Sequence, residues 1–361
     1  MPLRKTFIIF SLVIFFAFGN VGYTFADVSL KPDEMVKIFY YVETNSAYKS
    51  LRDNISKVSV VAPQAYSINA YGTFSGLLSK RLKKLLADNP NVKVMPLVMN
   101  SNFNQNSVHL FLKNNKAEDL AISKMVAFAQ KNNFSGFQLD FEHMSFSDRD
   151  AYSTFVEKVG SAFHQNNLTL SVAVAPRQSE KPADYPKNSF ANWSGVFDYK
   201  RIGDAADFVT LMAYDEPNVN GPVASIGWVR QSVDYVLSFI DAKKVSLGLP
   251  FYAWTWHEST GKRIAISGWK NVANILAKNK TKSGWDSELG TSWITYNGAR
   301  GKYKIWYEDY KSFDAKLALV QEKKLQGFSA WMLGLEDPKI WTAMDSTNVA
   351  TFPIALAENT R

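Results

Sequence analysis

Phe134-Ser-Gly-Phe-Gln-Leu-Asp-Phe-Glu142 is the stretch on which the fold turns. Side chains alternate faces along a strand, so Gln138, Asp140 and Glu142 project to one side while Phe137, Leu139 and Phe141 project to the other. Burying two carboxylates and an amide on one face of a central strand costs several kcal/mol unless they are partnered, so a function has to account for them. In a parallel (β/α)8 barrel the C-terminal ends of the strands line the active site, and Glu142 is the last position before the following loop.

Working outward, short β-branched and aromatic runs alternate with longer stretches of helical period, the pattern of repeated βα units around a parallel sheet. Strands are predicted at 36–42, 58–62, 92–99, 136–141, 168–175, 208–214, 244–250 and 327–332. Helices are predicted between them where apolar residues recur at i, i+3 and i+4. Examples are Leu78, Leu82, Leu85 and Leu86; Ile122, Met125, Val126 and Ala129; and Tyr152, Phe155, Val156, Val159 and Phe163. Later stretches carry Val229, Val233, Val236, Leu237 and Ile240, then Phe313, Leu317 and Val320. Eight such units favour an α/β fold closed as a (β/α)8 TIM barrel over an open doubly wound sheet, which usually has fewer strands. The connection between the seventh and eighth strands, 256–310, is too long for a loop. It holds a helix-like piece at 270–278 and β-like pieces at 292–296 and 303–307, and reads as a small α+β insertion over the barrel mouth.

The catalytic domain is expected over 33–346, with a loosely attached tail at 347–361. Arg4 and Lys5 precede an apolar run from Phe7 to Phe18 and a small-residue exit near Ala26, so 1–26 reads as a secretory signal and the protein as secreted or held in the periplasm or cell envelope. The run is short for a membrane anchor, and no later segment resembles a span, so no membrane span is expected after cleavage. The chain has 46% hydrophobic and 20% charged residues, which excludes disorder, and no cysteine, so its stability comes from the core without disulfides. Its net charge of +8 becomes +6 once residues 1–26 are removed, suiting either anionic surfaces or simple solubility. Lys and Arg are scattered rather than interleaved with aromatics, which argues against nucleic acid. His109, His143, His164 and His257 show no paired ligand spacing, and no G-x-S-x-G elbow occurs, so neither a metal, another cofactor nor a Ser-His-Asp site is expected.

Two carboxylates held close together raise the pKa of one of them, which keeps a proton available for general acid catalysis of the kind glycosidic cleavage requires. A lone D-x-E serves ion pairs and helix caps equally well, so further matches matter. The segment resembles the D-x-x-D-x-D-x-E signature of family 18 glycoside hydrolases, especially the branch of spore-cortex-lytic N-acetylglucosaminidases. Further similarity lies in Phe39-Tyr-Tyr-Val42, Leu211-Met-Ala-Tyr-Asp-Glu216, Gly221-Pro-Val-Ala-Ser-Ile-Gly-Trp228, Gly248-Leu-Pro-Phe-Tyr252 and Gly327-Phe-Ser-Ala-Trp-Met-Leu-Gly-Leu-Glu-Asp337. The insertion resembles the lid domain of part of that family.

The resemblance implies that Glu142 protonates the leaving oxygen and later activates water. It implies that Asp140 orients the 2-acetamido group whose carbonyl oxygen is the nucleophile, that Tyr214 holds the same acetamide, and that Trp331 floors the reactive sugar. Met212 and Asp215 lie beside Tyr214, and Gln138 occupies the signature's second place. Tyr41, Asn100, Tyr252 and Glu216 are groove candidates from their strand-end positions. Ser135 and Gln138 depart from the signature, and the neutral amide removes one route for cycling the Asp140 proton. The expected activity is hydrolysis by a monomer of β-1,4-linked N-acetylglucosamine polymers, either peptidoglycan glycan or chitin, by a substrate-assisted retaining mechanism. The alternative is a catalytically weak or inactive chitinase-like lectin, which keeps the groove and loses the acid.

Overall fold

The computed structural model describes residues 35–217 and 220–344; the expected leader and tail lie outside the described residues. Eight strands close a parallel barrel: Val36–Tyr41, Val60–Ile68, Leu97–Asn100, Gly136–Asp140, Thr169–Val174, Phe208–Leu211, Val245–Pro250 and Gly327–Trp331. They pair in that order, and the first strand pairs with both the second and the eighth. Closure leaves no unpaired edge in the barrel.

Sequence alternation decides what each strand buries. Phe137, Leu139 and Phe141 point outward into one apolar core under the helices, where Arg149–Gln165 contributes Tyr152, Phe155, Val156, Val159 and Phe163. Gly136 opens the fourth strand because a Cβ there would meet the Thr169 carbonyl oxygen at 1.8 Å. Gln138 points inward and is fully satisfied. The Tyr40 hydroxyl donates to its Oε1 at 2.6 Å, and its Nε2 donates to Ser171 Oγ at 2.8 Å and Thr210 Oγ1 at 2.9 Å. Thr210 to Ser329 at 3.0 Å and Ser329 to Ser246 at 2.7 Å extend the network, so six of the eight strands share one buried polar layer. Small hydroxyls suit the narrow interior and remove the desolvation cost of the amide.

Three strands differ from the sequence expectation; the sixth, expected to reach 214, ends at Leu211. The third breaks into Lys93–Val94 and Leu97–Asn100 because Pro96 has no N–H to give to a ladder. The second runs on to Ile68 and turns back through an antiparallel strand, Phe74–Gly76.

Between the seventh and eighth strands stands a separate antiparallel sheet of five strands, in spatial order Lys262–Gly268, Tyr252–His257, Gly301–Tyr307, Thr291–Gly298 and Thr281–Asp286. The helix Trp269–Lys278 covers one of its faces through Val272, packed with Ala253, Ile294, Ile305 and Tyr307. The other face carries Trp254, Trp256 and Trp306, which pack with Val223 and Tyr252 and against Tyr214 and Trp331 of the barrel mouth.

Candidate active site

At the C-terminal end of the barrel a cavity of about 230 Å³ is lined by Tyr40, Asp140, Glu142, Trp193, Tyr214 and Trp331, with Met212, Asp215 and Tyr252 completing one side. Glu142 lies two residues beyond the last ladder pair of its strand, Met99 with Asp140. Asn100 continues the ladder with its side chain. Its Nδ2 donates to the Glu142 carbonyl at 3.0 Å, and its Oδ1 accepts from the Glu142 N–H at 2.9 Å. A buried amide thus holds both polar groups of the Glu142 backbone. His143 then turns the chain with a φ of 54°.

Asp140 is 5% exposed, and no group among the described residues hydrogen-bonds its carboxyl. Burial, and after it the charge of Glu142, pushes its pKa upward. Glu142 is also pushed upward, by burial first and then by the charge of Asp215; the Trp193 indole beside it works in the opposite direction. That indole N–H makes no formed hydrogen bond, so it lies against the carboxylate without saturating it. The pair titrates as a unit that retains a proton at neutral pH.

Tyr214 keeps its hydroxyl proton because burial raises its pKa well above the usual phenol value. The Tyr252 hydroxyl donates to Asp215 Oδ1 at 2.6 Å. Tyr40 and Trp331 sit with ring centroids 5.4 Å apart and planes tilted by 58°, forming an aromatic floor.

The structure thus gathers Asp140, Glu142, Met212, Tyr214, Asp215, Tyr252 and Trp331 around one space. It places four other candidates elsewhere. Gln138 lies beneath the floor, holding Tyr40. Tyr41 packs outward in the core, because on an inward-facing alternation it is Tyr40 that faces the cavity. Asn100 sits behind Glu142, and Glu216 accepts from Ser225 N at 2.7 Å, at the start of the helix Ile226–Leu237.

Trp193 was not foreseen. It sits in a π-helical turn, Phe190–Ser194, inside a long loop with no periodicity to flag it. That loop is fixed by Arg149 Nη1 donating to Gly195 O and Arg177 Nη2 donating to Phe197 O, both at 2.7 Å. The inserted sheet fixes the loop after the sixth strand. Trp256 Nε1 donates to Gly221 O at 2.8 Å, Trp306 Nε1 to Asn220 O at 2.6 Å, and Ile226 N to Leu289 O at 2.9 Å.

A second depression, of about 310 Å³, lies among the outer helices beside Glu157, His164 and Arg201. Its Arg201 is occupied by both Glu157 oxygens, at 2.8 and 2.9 Å, so it offers no chemistry comparable to the carboxylate pair.

The sequence profile of the glycosyl hydrolases family 18 matches residues 14–336. The uncharacterized glycosylase YvbX of Bacillus subtilis (strain 168) is 27% identical over 315 residues, covering 84% of this chain and 89% of that protein. The crystal structure of a chitinase from Chromobacterium violaceum ATCC 12472 is similar with a TM-score of 0.77 and 26% identity, covering 86% of this chain and 98% of the chitinase chain. The spore cortex-lytic enzyme SleL of Bacillus megaterium QM B1551 is similar with a TM-score of 0.78 and 25% identity, covering 87% of this chain and 75% of that one.

Proposed function

The chain belongs to family 18 of the glycosyl hydrolases, and from that membership and the chemistry of its cavity we propose that it cleaves N-acetylglucosamine polymers by a substrate-assisted retaining mechanism with Glu142 as the acid and base. The observation that carries the reading is the partnerless, buried Asp140 carboxyl standing beside a backbone-clamped Glu142 over an aromatic floor.

Glu142, kept protonated by burial, gives its proton to the glycosidic oxygen as the bond to C1 breaks. The acetamido carbonyl oxygen of the same sugar attacks C1 and forms a bicyclic oxazolinium ion. Asp140 accepts a hydrogen bond from the acetamide N–H, and its free lone pairs are what that N–H requires. The Tyr214 hydroxyl donates to the acetamide oxygen, and Trp331 lies under the apolar C–H face of the ring. Glu142, now a carboxylate, takes a proton from water, whose oxygen attacks C1 and reopens the ring with net retention. Gln138, saturated by Tyr40, Ser171 and Thr210, accepts no proton, so the Asp140 proton exchanges on the Glu142 side.

Intact Glu142 separates this reading from a sugar-binding protein that has lost its acid. Within the substrate class we favour the glycan of peptidoglycan over chitin, and export from the leader pattern at 1–26. The test compares matched aryl glycosides: the N-acetylglucosaminide is turned over and the plain glucoside, which lacks the nucleophile, is not. Comparable turnover of the two refutes the substrate-assisted mechanism.

A further inference from the structure

The inserted stretch 252–307 carries nine Lys or Arg and three Asp or Glu, a net charge of +6 within a chain of +8. Among the described residues, Lys302 is the single one of those nine cations paired with an acid, Glu258 at 2.7 Å. Barrel cations are commonly paired, as in Lys158 with Glu118 at 2.6 Å and Lys316 with Glu308 at 2.8 Å. Two cations of the insertion lie instead over aromatic faces. Arg263 Cζ lies 4.2 Å from the Trp254 ring centroid, and Lys304 Nζ lies 3.9 Å from that of Trp306.

Register places these cations together. Arg263 pairs with Trp256, Trp256 with Lys304, Lys304 with Thr295, and Thr295 with Lys282, so one row crosses all five strands with a cation at three of its positions. Directly opposed residues share a face of the sheet. This row therefore lies on the face away from the covering helix, two residues along from the row Trp254, Trp306 and Trp293. Two residues along a strand is about 7 Å. The tryptophan row belongs to the aromatic cluster that packs on Tyr214 and Trp331, so the cations stand one step beyond the wall of the catalytic cavity.

We propose that this row is a docking track for a carboxylate-bearing glycan, so that the polymer entering the cavity is acidic and not a neutral homopolymer. The inference rests on the hydrolase reading above for the identity of the polymer, and on charge complementarity for its acidity. Unpaired cations beside a cleft concentrate an anionic polymer and lose that effect when salt shortens the Debye length from about 10 Å to a few ångströms.

The test is co-sedimentation of the full chain with purified peptidoglycan and with chitin particles, at low and high NaCl, for wild type, Lys282→Gln and the double variant Lys282→Gln with Lys304→Gln. Retention of wild type on peptidoglycan is expected to fall about tenfold at high salt, and the double variant to show about that loss already at low salt. Lys282→Gln is exposed and guards against a misfolded double variant by showing part of the same loss. Retention on chitin is expected to respond to neither change. Equal retention of variant and wild type on peptidoglycan, a parallel loss on chitin, or preferential binding to phosphatidylglycerol vesicles overturns the proposal. Hydrolysis of soluble N-acetylated chitin oligomers, run alongside, reports on the catalytic reading separately, since the sedimentation result does not depend on turnover.

Discussion

The barrel mouth and the inserted sheet use charge in opposite ways. At the mouth, two carboxylates are buried without a countercharge, and their unfavourable burial is what raises their pKa values and keeps a proton in place. On the sheet, Arg263, Lys304 and Lys282 share a row without an ion pair among the described residues, the first two lying over tryptophans, where they act at a distance and depend on salt. Chemistry is placed where water is excluded, and attraction is placed where solvent carries the field. The two regions meet at the loop 220–226, which the sheet fixes by hydrogen bonds from Trp256 and Trp306 and which lies a few residues after Tyr214 and Asp215 in the chain.

The sharpest way to break the mouth without touching a reacting group is Asn100→Ala. It removes both bonds to the Glu142 backbone, and a displacement of about 1 Å in a catalytic group costs on the order of a hundredfold in rate. Steady-state kinetics should show kcat falling with little change in KM. A rise in KM at constant kcat would return Asn100 to the groove.

Next in size is a shift in pH dependence. Glu142 must be protonated to act as an acid, and its raised pKa carries activity into the neutral range, with loss as pH rises through that pKa. Asp215→Asn removes a negative neighbour, so Glu142 ionises more easily and the alkaline limb of the kcat profile should move to lower pH. An unmoved limb would remove Asp215 from the electrostatics of the acid.

A third effect is on stability. The folded-state pKa of Asp140 lies above its unfolded value, so its ionisation penalises the folded state, fully so above the folded pKa and not at all below the unfolded one. Asp140→Asn should therefore raise Tm near pH 8 and leave it little changed near pH 3, while abolishing most activity. A Tm gain equal at both pH values would show that packing, not ionisation, is responsible. The smallest effect belongs to the junction of the two regions: Trp306→Phe deletes one hydrogen bond, worth about 1 kcal/mol, and should raise KM several-fold through the loosened loop.

The barrel was legible because its strands are buried on both faces and read as apolar runs, and because Gln138, Asp140 and Glu142 interrupt one of those runs with polar residues of a single parity. What stayed hidden depended on facts that no run of residues carries. Tyr40 and Tyr41 are adjacent aromatics on one strand, and the choice between them follows from barrel closure, which turns Tyr40 toward Gln138 and Tyr41 toward the helices. Asn100 is a polar strand end like any other until the fourth strand lies beside it. Trp193 arrives from an irregular loop whose anchors, Arg149 and Arg177, are distant in sequence. In the inserted sheet the register that aligns Arg263, Lys304 and Lys282 exists only across strands.

The central claim, that Glu142 is the acid of a substrate-assisted glycosidase, is tested most directly by turnover of an N-acetylglucosaminide by Glu142→Gln against wild type. The account predicts a loss of at least about a thousandfold in kcat with near-normal folding and binding, within the range for removing a general acid that also serves as the base. Equal turnover by the two proteins would contradict it.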